Sequence, residues 1–126
     1  MSKFENLQVL LVDDIKSMRT MIRGILFNIG IHKIHDAADG HEALSVLKQQ
    51  EIDLIISDWN MPKMDGLELL KAVRADEKYK DMPFLMITAE NRKENVIDAI
   101  QAGTSEFIAK PFTDGTLREK IDKIVK

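Results

Sequence analysis

The chain has 126 residues, no cysteine, and 21 acidic against 18 basic side chains, for a net charge of −3. That length suits one domain, and the missing cysteine excludes a disulfide framework, a thiol nucleophile and any cysteine-held zinc or iron–sulfur site. The acidic excess argues against a nucleic-acid footprint, and a longest apolar run of four residues is far short of a membrane span, so the expectation is one cytoplasmic domain over residues 1–126.

The first apolar run, Val9-Leu10-Leu11-Val12, lacks alternation and reads as a strand buried on both faces, the habit of parallel sheets. Ile15, Met18, Ile22, Ile25, Leu26 and Ile29 follow at helical spacing, and Gly30 closes that stripe. His32 to Ala38 is a weaker strand, with His32 and His35 on opposite faces and so unsuited to a shared metal. Ala43, Leu44 and Leu47 mark a second helix, with His41 near its exposed start. Leu54-Ile55-Ile56-Ser57 is the next strand, and Asp65-Gly66 opens a helix carrying Leu67, Leu70 and Val73. Phe84-Leu85-Met86-Ile87 precedes a fourth stripe of Val96, Ile97 and Ile100, closed by Gly103. Phe107-Ile108-Ala109 is the last strand, and Asp114-Gly115 opens the helix of Leu117, Ile121 and Ile124. Five strands alternating with five helices over short connections define an α/β three-layer fold.

In open parallel sheets, ligands bind beyond the carboxyl ends of the strands. Those ends carry Asp13-Asp14, Asp58, Thr88 and Lys110. Three carboxylates, a hydroxyl and an ammonium on one rim would make a hard-oxygen cation site for Mg²⁺ beside a fixed positive charge. Asp58 could then act as a carboxylate nucleophile toward a phosphoryl group, with Lys110 and Thr88 meeting its oxygens. The plainer alternative is that Asp13-Asp14 caps the first helix and complements its dipole.

Val12-Asp13-Asp14, the run from Ser57 to Gly66, Thr88-Ala89-Glu90 and Lys110-Pro111-Phe112 resemble the receiver domain of two-component response regulators, in order and spacing along the whole chain. The resemblance is strongest to single-domain chemotaxis members. It implies a flavodoxin-like, doubly wound five-stranded parallel sheet in the order 2-1-3-4-5, with no effector domain. It also implies that Asp58 is the phosphoacceptor, served by Lys110 and Thr88. Mg²⁺ would be held by Asp14, Asp58 and the Asn60 backbone carbonyl, with Asp13 acting through a bound water. Lys110-Pro111 would be a cis peptide. The donor would be a sensor histidine kinase of the chemotaxis type. Asn60 and Glu90 would flank the pocket and set a short phosphoaspartate lifetime.

Two positions depart from the chemotaxis pattern. Phe107 stands where those members carry Tyr, so a ring rotating with Thr88 would lack a phenolic hydroxyl; as a core residue Phe107 would need none. Ile100 stands where they carry Ala, and it either fills a partner groove or joins the core stripe of Val96 and Ile97. The expected output is a monomeric switch that presents a face of helix 4, strand 5 and helix 5 to a downstream protein, with altered binding to the flagellar switch. A phosphate sink or phosphorelay intermediate is the alternative. Arg92, Lys93, Lys120 and Lys123 form either a basic patch beside that face or ordinary solvated helix charge. An aspartyl phosphohydrolase would want an acid two residues after Asp58, where Asn60 stands, and a flavin module would want a hydroxyl-rich loop after the first strand.

Overall fold

Residues 4–89 and 93–125 are described in a computed structural model of the chain. Strands and helices alternate as β1 (Gln8–Val12), α1 (Lys16–Asn28), β2 (Lys33–Ala37), α2 (Gly40–Gln49), β3 (Leu54–Asp58), α3 (Gly66–Ala75), β4 (Phe84–Thr88), α4 (Lys93–Gln101), β5 (Glu106–Ala109) and α5 (Asp114–Ile124). The strands form one parallel sheet in the order β2-β1-β3-β4-β5. The chain winds outward in one direction from β1 to β2 and in the other from β3 onward. That reversal opens a crevice at the carboxyl ends of β1 and β3, where such folds place ligands.

Strand alternation divides the core between two layers of helices. Leu10, Val12, Ile55, Phe84 and Met86 pack with Ala43 and Leu47 of α2, Leu69, Leu70 and Val73 of α3, and Ala99 of α4. Val9, Leu11, Leu54, Ile56, Leu85 and Ile87 pack with Ile22 and Leu26 of α1 and with Leu117 and Ile121 of α5. β1, β3 and β4 are therefore apolar on both faces. The outer strands are not: β2 is only half-buried over Ile34–Asp36, which is why its pattern is the faintest of the five.

Local signals explain the boundaries. Gly30 and Gly103 both have positive φ, 99° and 94°, and close their helices with paired hydrogen bonds. At Gly103 these are Gly103 N–H to the Ile100 carbonyl and Thr104 N–H to the Ala99 carbonyl, each 3.1 Å. Asp65 opens α3 through a capping box, accepting the Glu68 N–H at 2.8 Å while Glu68 Oε1 accepts the Asp65 N–H at 3.2 Å.

Three expectations change. α5 is capped by Thr113, whose Oγ1 accepts the Thr116 N–H at 3.1 Å; Asp114 falls in the first turn instead. Asp13 and Asp14 do not cap α1, because the cap position is Ile15, which has no side-chain cap and lies 50% exposed outside the core stripe. Among the described side chains of α4 the buried residue is Ala99, while Ile97 and Ile100 are 41% and 62% exposed. Ala99 lies about 100° around the helix from Ile100 and is the α4 residue that joins the core layer. Hydropathy ranked the larger side chains first, but the helix turns the smaller one inward.

A Cβ at Gly103 would need the left-handed backbone and would sit 3.2 Å from Arg74 Nε. Gly103→Ala should therefore cost about 1–2 kcal/mol in urea unfolding, with an unchanged m-value. Gly24→Ala, in the exposed middle of α1 with nothing within 4 Å, should gain about 0.5–1 kcal/mol in the same measurement.

Candidate functional site

Hydrogen bonding beyond the end of β1 places Asp13. Its N–H reaches the Ala37 carbonyl of β2 at 3.1 Å, and its Oδ1 accepts the Ile15 N–H at 2.9 Å. Its carbonyl accepts Arg19 Nη1 from α1 at 2.5 Å. Asp58 is the last residue of β3, flanked by the Trp59 N–H bond to the Ile87 carbonyl at 2.9 Å. The loop onward returns at once: the Gly66 N–H donates to the Trp59 carbonyl at 2.8 Å. A Cβ on Gly66 would collide with the Asp58 carbonyl oxygen and lie 2.9 Å from Trp59 Cα, so glycine lets the start of α3 press against the end of β3.

Asp13, Asp14 and Asp58 each offer a carboxylate oxygen within 4.8 Å of the other two. Asp13 and Asp58 are buried, and Asp14 is exposed at the mouth. Lys110, just past β5, donates from Nζ to Asp58 Oδ1 at 3.0 Å. Its own N–H is fixed by the Thr88 carbonyl at 2.8 Å, so the end of β4 sets the lysine backbone. The Lys110-Pro111 bond is cis.

Electrostatics fit a cation rather than a proton-free anion cluster. Burial pushes the Asp58 carboxyl above its ordinary value of 3.8, against the hydrogen bond and charge of Lys110, and Asp14 adds repulsion. Burial likewise raises Asp13, partly offset by the Ile15 N–H, with Asp58 and Asp14 adding to the rise. Asp13 Oδ2 is buried without a hydrogen-bond partner. Three hard oxygen donors, one of them orphaned, match what a divalent cation such as Mg²⁺ binds.

Thr88 ends β4 fully buried. Phe107 pairs with Met86 in the ladder and is half-buried against the α2–α3–α4 core layer. Thr88 continues the Phe84, Met86 alternation, so Thr88 and Phe107 share one face of the sheet on neighbouring strands. Asn60 is exposed in the loop after β3. Glu90 and Arg92 lie outside the described residues, as does the side chain of Lys93. Lys120 and Lys123 do not form a free basic patch, since both pair with Glu106 of β5, at 3.1 and 3.8 Å. Burial works against ionisation of Glu106, but the Lys120 hydrogen bond, the Phe107 N–H and the two lysine charges outweigh it and hold its carboxyl below the usual range. His32 falls outside β2 and stacks on Phe27, while His35 bonds Gln8 at 3.1 Å.

Sequence reasoning missed Arg19, Gly66 and the apolar side of the rim. A hollow of about 280 Å³ lies beside Lys110, lined by Met18, Met21, Pro111 and Phe112. A cation one turn into the helix after an acidic pair was a readable signal for Arg19; the hollow had none, because its walls come from distant segments.

Residues 9–122 match the response regulator receiver domain family. The chain is 48% identical over 120 residues to the chemotaxis protein CheY-3 of Vibrio cholerae, covering 95% of this chain and 92% of that one. It is 45% identical over 118 residues to the chemotaxis protein CheY of Pseudomonas aeruginosa, covering 94% and 95%. The crystal structure of Vibrio cholerae CheY4 superposes with a TM-score of 0.87 at 39% identity, covering 94% of this chain and 98% of that one.

Raised carboxyl values mean that the folded chain holds these protons more tightly than the unfolded one. Their ionisation therefore costs stability at neutral pH, and the cost is relieved as pH falls through the raised values. Asp13→Asn removes one charge and keeps an acceptor for the Ile15 N–H. In metal-free protein it should raise unfolding stability at neutral pH by on the order of 1 kcal/mol. Urea titrations should show that gain shrinking as pH falls through the raised Asp13 value.

Proposed function

The chain belongs to the response regulator receiver domain family, and from that premise we propose that Asp58 is its phosphoacceptor in a chemotaxis-type signalling pathway. It is a signalling protein, homologous to chemotaxis regulators, rather than a classical enzyme. One observation carries the reading: the Asp58 carboxylate sits within a cluster of three and is held at 3.0 Å by Lys110.

The donor is a phosphohistidine on a sensor kinase. An Asp58 oxygen forms the new bond to phosphorus, the phosphorus–nitrogen bond breaks, and the imidazole leaves and takes up a proton. Lys110 meets the negative charge on the transferring group. When bound, Mg²⁺ supplies further charge neutralisation; Asp14, Asp58 and the Asn60 carbonyl would hold it, with Asp13 acting through water. Later attack by water on the acyl phosphate releases inorganic phosphate and restores Asp58, at a rate that Asn60 and Glu90 tune.

Thr88 carries the signal by turning its hydroxyl toward the phosphoryl oxygen. The space it leaves lies on the face it shares with Phe107, so the ring moves inward as an apolar body, without a hydroxyl to bond a partner. The output surface is the α4–β5–α5 face, where exposed Ile97 and Ile100 and the Glu106 pairing with Lys120 and Lys123 select a partner other than the flagellar switch. The domain acts as a monomer in the cytoplasm. Among the described residues, no helix is long and apolar enough to cross a membrane.

Half-exposed Met21 lines the hollow beside Lys110 together with Met18, Pro111 and Phe112, and such apolar walls suit a protein donor more than a free phosphate ester. Wild-type protein should take up one phosphoryl group from acetyl phosphate with Mg²⁺, and Asp58→Asn none, as read by intact mass. Met21→Glu should slow transfer from the kinase by roughly tenfold, the worth of one anchoring contact, while leaving acetyl phosphate labelling intact. Labelling of Asp58→Asn at the wild-type level would overturn the assignment.

A further inference from the structure

We propose that Arg19 is a positioning residue for the acid pocket: its guanidinium fixes the backbone of Asp13 and so keeps the Asp13 carboxylate among those of Asp14 and Asp58. The inference rests on reading those carboxylates as a Mg²⁺ site.

β1 ends at Val12, so the sheet no longer holds the residue that follows. Asp13 is instead held atom by atom. β2 takes its N–H, the Ile15 N–H takes Oδ1, and Arg19 Nη1 takes its carbonyl at 2.5 Å, leaving only Oδ2 without a partner. Of these anchors, Arg19 is the one supplied by a side chain.

Arg19 is itself aimed. Its side chain is 16% exposed, and its Nε faces Asp36 Oδ2 of β2 at 3.6 Å, beyond hydrogen-bond reach. Arg23, one turn further along α1, takes the other Asp36 oxygen. The contact of Arg19 is with the Asp13 backbone carbonyl and not with the carboxylate, so what it fixes is position. Groups that orient a metal ligand without touching the metal are commonly worth 10–100-fold in affinity.

Arg23 supplies the control, because it shares Asp36 and the same helix but touches no residue of the pocket. Metal-free wild type, Arg19→Ala, Arg19→Lys and Arg23→Ala would be titrated with Mg²⁺ and read by Trp59 fluorescence. Hydrogen exchange at the Asp13 amide would be measured without metal, and thermal unfolding alongside. Arg19→Ala should weaken Mg²⁺ binding by about tenfold and speed Asp13 amide exchange. Arg19→Lys, which keeps one donor for the carbonyl, should recover part of both. Arg23→Ala should bind within about twofold of wild type even where it loses stability. If Arg19→Ala fails to fold, weaker Mg²⁺ binding by Arg19→Lys than by Arg23→Ala supports the proposal, and equal binding by the two overturns it. Mg²⁺ affinity of Arg19→Ala matching Arg23→Ala would leave Arg19 a structural tie only. A wild-type protein with no response to Mg²⁺ would overturn the cation site itself, and the positioning role with it.

Discussion

Like charge gathered where a parallel sheet ends is the constraint to which the rest of this fold answers. Asp13 and Asp58 lie buried within 4.8 Å of each other and of Asp14. In water such a cluster would be mildly repulsive; under burial each ionised carboxylate is costly. The surroundings answer with fixed donors. Lys110 meets Asp58 from the far strand, the Ile15 N–H meets Asp13 Oδ1, and Arg19 holds the Asp13 carbonyl. The compensation stops short of complete, since Asp13 Oδ2 has no partner and burial still raises both buried carboxyls. That residue of unfavourable energy is what an incoming cation or a change in the charge on Asp58 can relieve. A fully satisfied cluster would have nothing left to respond with.

Topology explains why such a cluster can form from residues so far apart. Parallel strands all finish on one rim, and the reversal of winding between β1 and β3 leaves that rim uncovered by a crossover helix. Asp13 and Asp58 flank the opening, while Lys110 must reach it from β5, two strands beyond β3. The cost is that α3 has to begin close against β3. Gly66 permits this, and the capping box of Asp65 and Glu68 starts the helix there.

Much of this was legible in sequence for a physical reason. β1, β3 and β4 are buried on both faces, so their apolar runs are uninterrupted, and the polar residues that end them stand out. Asp13, Asp58, Thr88 and Lys110 could be placed on one rim from that contrast alone. Edge and surface elements carry weaker information. β2 is half-buried, and its sequence admits polar residues inside the strand, such as His35 and Asp36. α4 was misread because a nine-residue helix offers too few turns to fix its inward face by hydropathy, and among its described side chains the small Ala99 is the one buried. Lys120 and Lys123 looked like a solvated pair or a patch, since nothing in the chain's order announces that Glu106 will sit between them. Contacts closed by tertiary structure, Arg19 to the Asp13 carbonyl among them, leave no local periodic trace.

The same geometry limits how a change at Asp58 can travel. β4 touches the pocket through Thr88 and touches β5 along a four-residue ladder in which Met86 pairs with Phe107. Backbone displacement there would break the β4–β5 ladder, so side chains on the shared face are the cheaper carriers. Phe107 is half-buried, and its N–H is held by Glu106 Oε1 at 3.2 Å. Glu106 in turn holds Lys120 of α5, so the strand backbone beside the ring is anchored to the last helix. In the proposed switch, motion of Phe107 would thereby be confined to its ring, and would alter the apolar surface of the proposed output face. With two exposed isoleucines on α4 and an internally paired charge cluster on β5 and α5, that surface changes in shape and apolar area more than in charge. A partner that reads it must do so mainly through packing, and packing discriminates on side-chain size.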